Sequence, residues 1–183
     1  MSEISERYRR LSAAFTERVV AVPEDRWDSP SPCEEWTARD VVGHMRDGSG
    51  TFFANIGREL PPGPSIAEDP VGTWTTVREA MQGALDDPDV AGTEYESPLM
   101  GRQRFDVGVD QFVNFDVLVH TWDLARAAGL DERLDEAEVH RTFERILPAD
   151  EMLRSPRVCG PKLDPPPGAD EQTRFLAFLG RRA

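Results

Sequence analysis

Asp116 and His120 stand four residues apart inside the apolar run FDVLVHTWDLARAAG, residues 115–129. On an α-helix, positions i and i+4 project from one face a turn apart, so this carboxylate and imidazole converge on one point. An ionised aspartate among Phe112, Phe115, Val117 and Val119 is costly unless a cation or hydrogen-bond donors satisfy it. The chain has three histidines. A second, His44, lies three residues after Val41 and four before Gly48, on or beside the inward face of another helix. Two imidazoles and one carboxylate make three protein ligands and leave a position for water or substrate, which is the ligand count of catalytic zinc. The set also suits nickel, iron or manganese, and ligand type alone does not choose among them. The plainer alternative is a satisfied polar pair in a helical core, worth a few tenths of a kcal/mol.

The elements that would position these residues follow from apolar spacing. Ile4, Tyr8, Leu11, Phe15, Val19 and Val22 form one stripe and predict a helix over 3–22, ended by Pro23. The segment PEDRWDSPSPCEEW is rich in proline and serine and predicts a loop with one short turn. Thr37 then opens a second helix, with Asp40 at the capping-box position and Trp36 and Val41 spaced as a hydrophobic staple. Its stripe continues through Met45, Gly48, Phe52 and Ile56. Gly48 and Gly50 each cost about 1 kcal/mol against alanine in a helix interior, and are expected where another group approaches closely. Further helices are predicted over about 68–87, 106–128 and 135–147. Gly129 is suited to close the second of these, and Pro148 follows the last. Residues 89–105 show little periodicity beyond short strand-like pieces. SPRVCGPKLDPPPGAD is an extended connection to a short closing helix, EQTRFLAFLG. The expectation is an all-α chain: one domain over 1–183, with a four-helix-bundle core at about 3–147 and a C-terminal extension at about 148–183.

Composition narrows the function. With 34 acidic and 21 basic residues the net charge is −13, which repels phosphate backbones and argues against a nucleic-acid partner. Lys162 is the only lysine, an arginine bias of the kind GC-rich genomes produce. No apolar leader or membrane-length run occurs, so a cytoplasmic location without a membrane partner is expected. Cys33 and Cys159 flank no CxxC pattern and read as free thiols. No P-loop, GxSxG or GxGxxG pattern appears.

Three stretches carry a resemblance to a known family. SPCEEWTARDVVGHM resembles the start of the second helix in the DinB-like, mycothiol-dependent maleylpyruvate isomerase N-terminal-type superfamily, TPC-x-x-W/Y-T-V-x-D-L-x-x-H. DVLVHTWDLARAAG resembles that group's E/D-L-x-V-H-x-W-D-L-A-x-A-x-G helix. VCGPKLDPPPGADEQTRFLAFLGRRA is similar to the tail of actinobacterial members. The resemblance implies a DinB-like four-helix bundle holding a divalent metal on His44, Asp116 and His120, with zinc first and nickel, iron or manganese as alternatives. Asp116 is a shorter carboxylate than the isomerase's glutamate. The isomerase also has a further C-terminal domain, for which a chain of 183 residues is expected to be too short, so an S-transferase is expected beside an isomerase-like metalloenzyme rather than the isomerase itself.

The activity implied is metal- and thiol-dependent: transfer of a small thiol, mycothiol in actinobacteria, to a small electrophile. The alternatives are hydrolysis by a metal-activated water and a non-catalytic metal- or ligand-binding module linked to stress. Bundles often pair through a helix face, so a homodimer is an open expectation. Asp123, three residues past His120, could support that histidine or be an outward salt-bridge partner, and the structural role is preferred. Trp36 and Trp122 are read as core packing, and Asp40 as the capping residue. His140 is read as exposed, and Arg102 and Arg104 as solvated charges rather than contacts to an anionic cofactor. Cys33 is expected to be a loop or core thiol with no base beside it. Substrate selection falls to the loops 61–70 and 89–105.

Overall fold

The computed structural model describes residues 2–98, 100–154 and 159–183. These residues divide into two compact units, one within Met1–Glu132 and one within Arg133–Ala183. Both are mostly helical, and a single two-stranded sheet occurs among the described residues. No helix among them is long and apolar enough to cross a membrane.

In the first unit the predicted stripes become helices. Helix α1 (Glu3–Ala21) is capped by Ser2, whose side chain accepts from the Ser5 amide. It buries Tyr8, Leu11, Phe15 and Val19. Helix α2 (Ala38–Asn55) opens with the predicted capping box, in which Thr37 and Asp40 satisfy each other's amides. Its buried line runs through Val41, Val42, Met45, Ser49 and Phe53, so Gly48, Phe52 and Ile56 are only half-buried. Gly48 and Gly50 do not mark a close approach. A Cβ on Gly48 would meet nothing within 4 Å, and one on Gly50 only ordinary contact with Leu60 at 3.5 Å. Helix α3 (Pro70–Asp86) starts at a proline behind the Asp69 cap and buries Trp74, Val77, Met81 and Leu85.

The weakly periodic segment resolves into α4 (Pro88–Ala91) and an antiparallel hairpin of β1 (Glu94–Ser97) and β2 (Gly101–Arg104), with Tyr95 opposite Gln103. The predicted helix over 106–128 is a helical run in three parts. These are α5 (Phe105–Gly108), a π-helical turn at Val109–Val113, and α6 (Asn114–Ala128). Gly108 marks a close approach, because a Cβ there would stand 2.2 Å from the Tyr95 hydroxyl and the ring would have to shift. Buried Arg7 of α1 meets the π turn, donating to the Asp110 carbonyl at 3.4 Å and to its carboxylate at 2.7 Å. Gly129 ends α6 in the left-handed region at φ 72°.

Helix α1 packs on α3 and α6, and α2 packs on the same two. All of residues 117–125 in α6 are buried, so this helix has no polar face along its middle.

In the second unit α7 (Glu136–Ile146) clusters with the tail. Its Phe143 ring meets Phe175 and Phe178 of α9 (Glu171–Phe178) at 5.8 and 5.6 Å. Between them lie α8 (Asp150–Leu153) and a connection in which 159–170 form neither helix nor strand. The first four residues of the expected extended segment, 155–158, lie outside the described residues.

Candidate metal centre

The three predicted ligands meet. One ligand atom from each of His44, Asp116 and His120 lies within 4.8 Å of the others. His44 Nε2 is 3.4 Å from Asp116 Oδ2, and the His44 and His120 ring centroids are 4.9 Å apart. The donors come from two helices that pack together, α2 and α6. Two atoms each about 2.0–2.1 Å from one ion at a tetrahedral angle stand about 3.4 Å apart. The His44–Asp116 spacing therefore suits a shared cation, and a donor set of two imidazoles and a carboxylate suits a first-row divalent metal.

The site is graded from open to closed. The His44 and Asp116 side chains are 34% and 35% exposed, while His120 is 8% exposed. Beneath His120 lies Asp123, whose side chain is fully buried and whose Oδ2 is 2.9 Å from His120 Nδ1. This corrects the reading of Asp123 as an outward structural charge. With Nδ1 donating to a carboxylate, the other ring nitrogen is left free to ligate, which is the usual support for a metal-binding histidine. Burial works against a charged His44. The hydrogen bond and charge of Asp116, with the charges of Asp47 and Asp123, outweigh it and hold the imidazole above its ordinary value. The same carboxylates favour any cation at this point.

The loop before α2 closes one side. Backbone bonds from Ala38 to Ser29, Arg39 to Trp27 and Ser31 to Trp36 tie it to the helix start. Glu35 turns it at φ 64°, a strained conformation for a non-glycine residue. Trp36 is not core packing. It is half-buried, with its ring centroid 4.9 Å from His44 and 5.9 Å from His120. Nor is Cys33 remote from a base, since its Sγ lies 3.4 Å from Asp123 Oδ2. The i, i+3 spacing of His120 and Asp123 was a usable signal in the sequence. No sequence signal linked Cys33 or Trp36 to the later helix.

The remaining candidates fall elsewhere. Trp122 is fully buried, with the Arg126 guanidinium 4.9 Å over its ring. Exposed His140 pairs with Glu171 at 2.9 Å in the second unit. Arg102 pairs with Glu94, and Arg104 with Asp106 at 2.6 Å.

Residues 8–59 match the family model of the mycothiol maleylpyruvate isomerase N-terminal domain. The match bears out the resemblance read from the sequence. It spans Cys33, Trp36 and His44, while Asp116, His120 and Asp123 lie beyond it. The chain is also similar to "Uncharacterized protein MT0763" of Mycobacterium tuberculosis (strain CDC 1551 / Oshkosh) and "Uncharacterized protein Rv0738" of Mycobacterium tuberculosis (strain ATCC 25618 / H37Rv). In each case identity is 28% over 187 residues, covering 95% of this chain and 95% of the relative. No solved structure matches significantly.

Proposed function

We propose that this protein is a cytoplasmic metal-dependent enzyme that transfers a small thiol of the mycothiol type to a small electrophile. In this reading α1, α2, α3 and α6, each packed on two of the others, are the DinB-like four-helix bundle. His44, Asp116 and His120 hold one divalent cation, zinc before nickel, iron or manganese. The observation that carries the reading is the convergence of these donor atoms within 4.8 Å from two separate helices.

A divalent cation bound there supplies Lewis acidity, lowering the pKa of a small thiol so that it is nucleophilic near neutral pH. The protein's own residues do the rest. Asp123 keeps the proton of His120 on Nδ1 and so orients the ring. Half-exposed His44 and Asp116 leave the ligand side accessible to a small molecule. Trp36 gives that side a flat apolar wall, which excludes water and offers a stacking face.

Metal analysis of tag-free protein, beside His44→Ala and His120→Ala, tests the first half. Near-stoichiometric metal in the wild type, lost in both variants, is expected, and no metal in the wild type would sink the reading. Turnover of a small thiol with a generic electrophile, abolished in His120→Ala, tests the second half. Metal bound without such turnover would favour the non-catalytic binding module. Hydrolysis in the absence of thiol would favour the metal-dependent hydrolase.

A further inference from the structure

Residues 44, 48 and 52 of α2 are spaced by four and share one face of the helix. The outer two both reach the helical run that ends in α6. His44 Nε2 lies 3.4 Å from Asp116 Oδ2, and the Phe52 and Phe112 ring centroids are 6.2 Å apart. Phe112 precedes Asp116 by four residues, so the two contacts also follow one another along the facing run. Between them stands Gly48, half-buried and without a side chain, where a Cβ would meet nothing within 4 Å. The helix rise separates the backbones of His44 and Phe52 by about 12 Å. A notch is thus left between the two helical elements, bounded by the His44–Asp116 pair at one end and by aromatic rings at the other.

The aromatic end is held in place. Besides Phe112, the Phe52 ring meets the Tyr95 ring edge to face at 6.4 Å, and a Cβ on Gly108 would come within 3.1 Å of its Cε1. Phe52 and Phe112 are both half-buried, so each keeps part of its surface for a ligand. Apolar and aromatic side chains beside a few convergent polar groups are the usual lining of a small-molecule site. The charges that act on His44 are those of the carboxylates Asp116, Asp47 and Asp123, which disfavour an anionic group beside it.

We propose that Gly48 is a specificity-determining residue, and that the notch beside it takes an uncharged, flat apolar ring carried by the electrophile whose reacting atom stands at the His44–Asp116–His120 centre. The missing side chain makes the room, and Phe52 and Phe112 offer the ring offset or edge-to-face partners. Glycine's low helix propensity at this interior position is then the cost of space beside the metal. The inference rests on the reading of those three residues as a metal centre that acts on a small electrophile.

The test uses two hydroxamates that anchor to a metal through the same group, acetohydroxamate with a methyl tail and benzohydroxamate with a phenyl ring. Their affinities are read from the visible spectrum of cobalt(II)-loaded wild type, Gly48→Ala, Gly48→Leu and Trp36→Ala. The phenyl-over-methyl ratio is compared between proteins, so the intrinsic metal affinities of the two ligands cancel. Gly48→Leu is expected to lower that ratio by about tenfold and Gly48→Ala by about two- to threefold, at or below the shallow end of what a hydrophobic pocket discriminates. Cobalt affinity of both variants is expected to stay within about twofold of the wild type, since neither a ligand nor its support is touched. In urea denaturation the midpoint of Gly48→Ala is expected to rise, because alanine is the better helix former and the space is open. A lowered midpoint would overturn the proposal by showing the position to be closed. A phenyl preference kept in Gly48→Leu and lost in Trp36→Ala would overturn it in favour of stacking on the loop side. Equal loss of both hydroxamates in Gly48→Leu would overturn it as well, because the leucine would then be blocking the metal and not a ring site. If the wild type takes up no cobalt, the metal reading fails and this inference with it, whereas cobalt bound with a ratio unchanged in Gly48→Leu overturns the inference alone.

Discussion

Asp123 separates the two ways in which a carboxylate can serve this site. Its side chain is fully buried, 2.9 Å from His120 Nδ1 and 3.4 Å from Cys33 Sγ. A hydrogen bond to a charged group contributes roughly 1.5–3 kcal/mol, and a stranded buried donor costs a similar amount. Asp123→Ala leaves the imidazole N–H without its acceptor and should destabilise the metal-free protein by about 2–3 kcal/mol. Asp123→Asn keeps the shape and one accepting oxygen, and should cost about 1 kcal/mol. In both variants metal affinity should fall about 10- to 100-fold, the usual consequence of freeing a ligating histidine from its support. Asp116→Asn is the contrasting perturbation. Asp116 is 35% exposed and faces His44 at 3.4 Å, so its pair is solvent-screened and removing it should change stability by less than about 1 kcal/mol. As a ligand, however, its loss should remove metal binding almost entirely. Urea denaturation with chelator present, followed by circular dichroism, gives the first quantity, and cobalt titration gives the second. The reasoning is refuted if Asp123→Ala stays within about 0.5 kcal/mol of the wild type while its metal affinity is unchanged. It is refuted equally if Asp116→Asn binds metal as the wild type does.

Other expectations concern the frame around the site. Thr37→Ala removes the side chain that accepts from the Asp40 amide at 3.3 Å, and should cost about 1 kcal/mol in urea denaturation. Hydrogen bonds from Thr37 hold the Asp40 carboxyl below its ordinary value. The stability it adds is therefore present above that ordinary value and is lost as pH falls through the lowered one. Asp40→Asn should flatten this part of the acid limb. In the second unit Glu171 holds the exposed His140 imidazole above its ordinary value. Its contribution is full below the ordinary histidine value and is lost as pH rises through the raised one. A proton NMR titration of His140 in wild type and Glu171→Gln should show the midpoint fall in the variant. Gly129→Ala forces a side chain into the left-handed region at φ 72° and should cost about 1–2 kcal/mol, read as a lowered denaturation midpoint.

What the sequence made legible was whatever one element decides by itself. The stripe of α1 and the Thr37–Asp40 box are local, and both appear as expected. The convergence of Asp116 and His120 is also local, because i and i+4 share a face on any helix. His44 could be added because its phase placed it beside an inward line. The bond that Arg7 makes to Asp110 in the π turn could not be read, because it spans 103 residues. Cys33 could not be tied to Asp123 for the same reason, at a separation of 90 residues. Gly48 and Gly50 misled because low helix propensity was taken as evidence of a close neighbour, and open space satisfies a glycine equally well. Asp123 is the instructive error. Its spacing from His120 was visible, but i, i+3 pairs occur on exposed and buried faces alike. The phase of α6 decides between them. With residues 117–125 buried throughout, no outward face exists for a charge to occupy. Every ionisable group on that stretch must then be answered by a partner inside the protein, and the nearest one on its own helix is a histidine. A helix whose apolar pattern runs all the way round thus turns an embedded Asp–His pair from a surface ornament into evidence of a supported site.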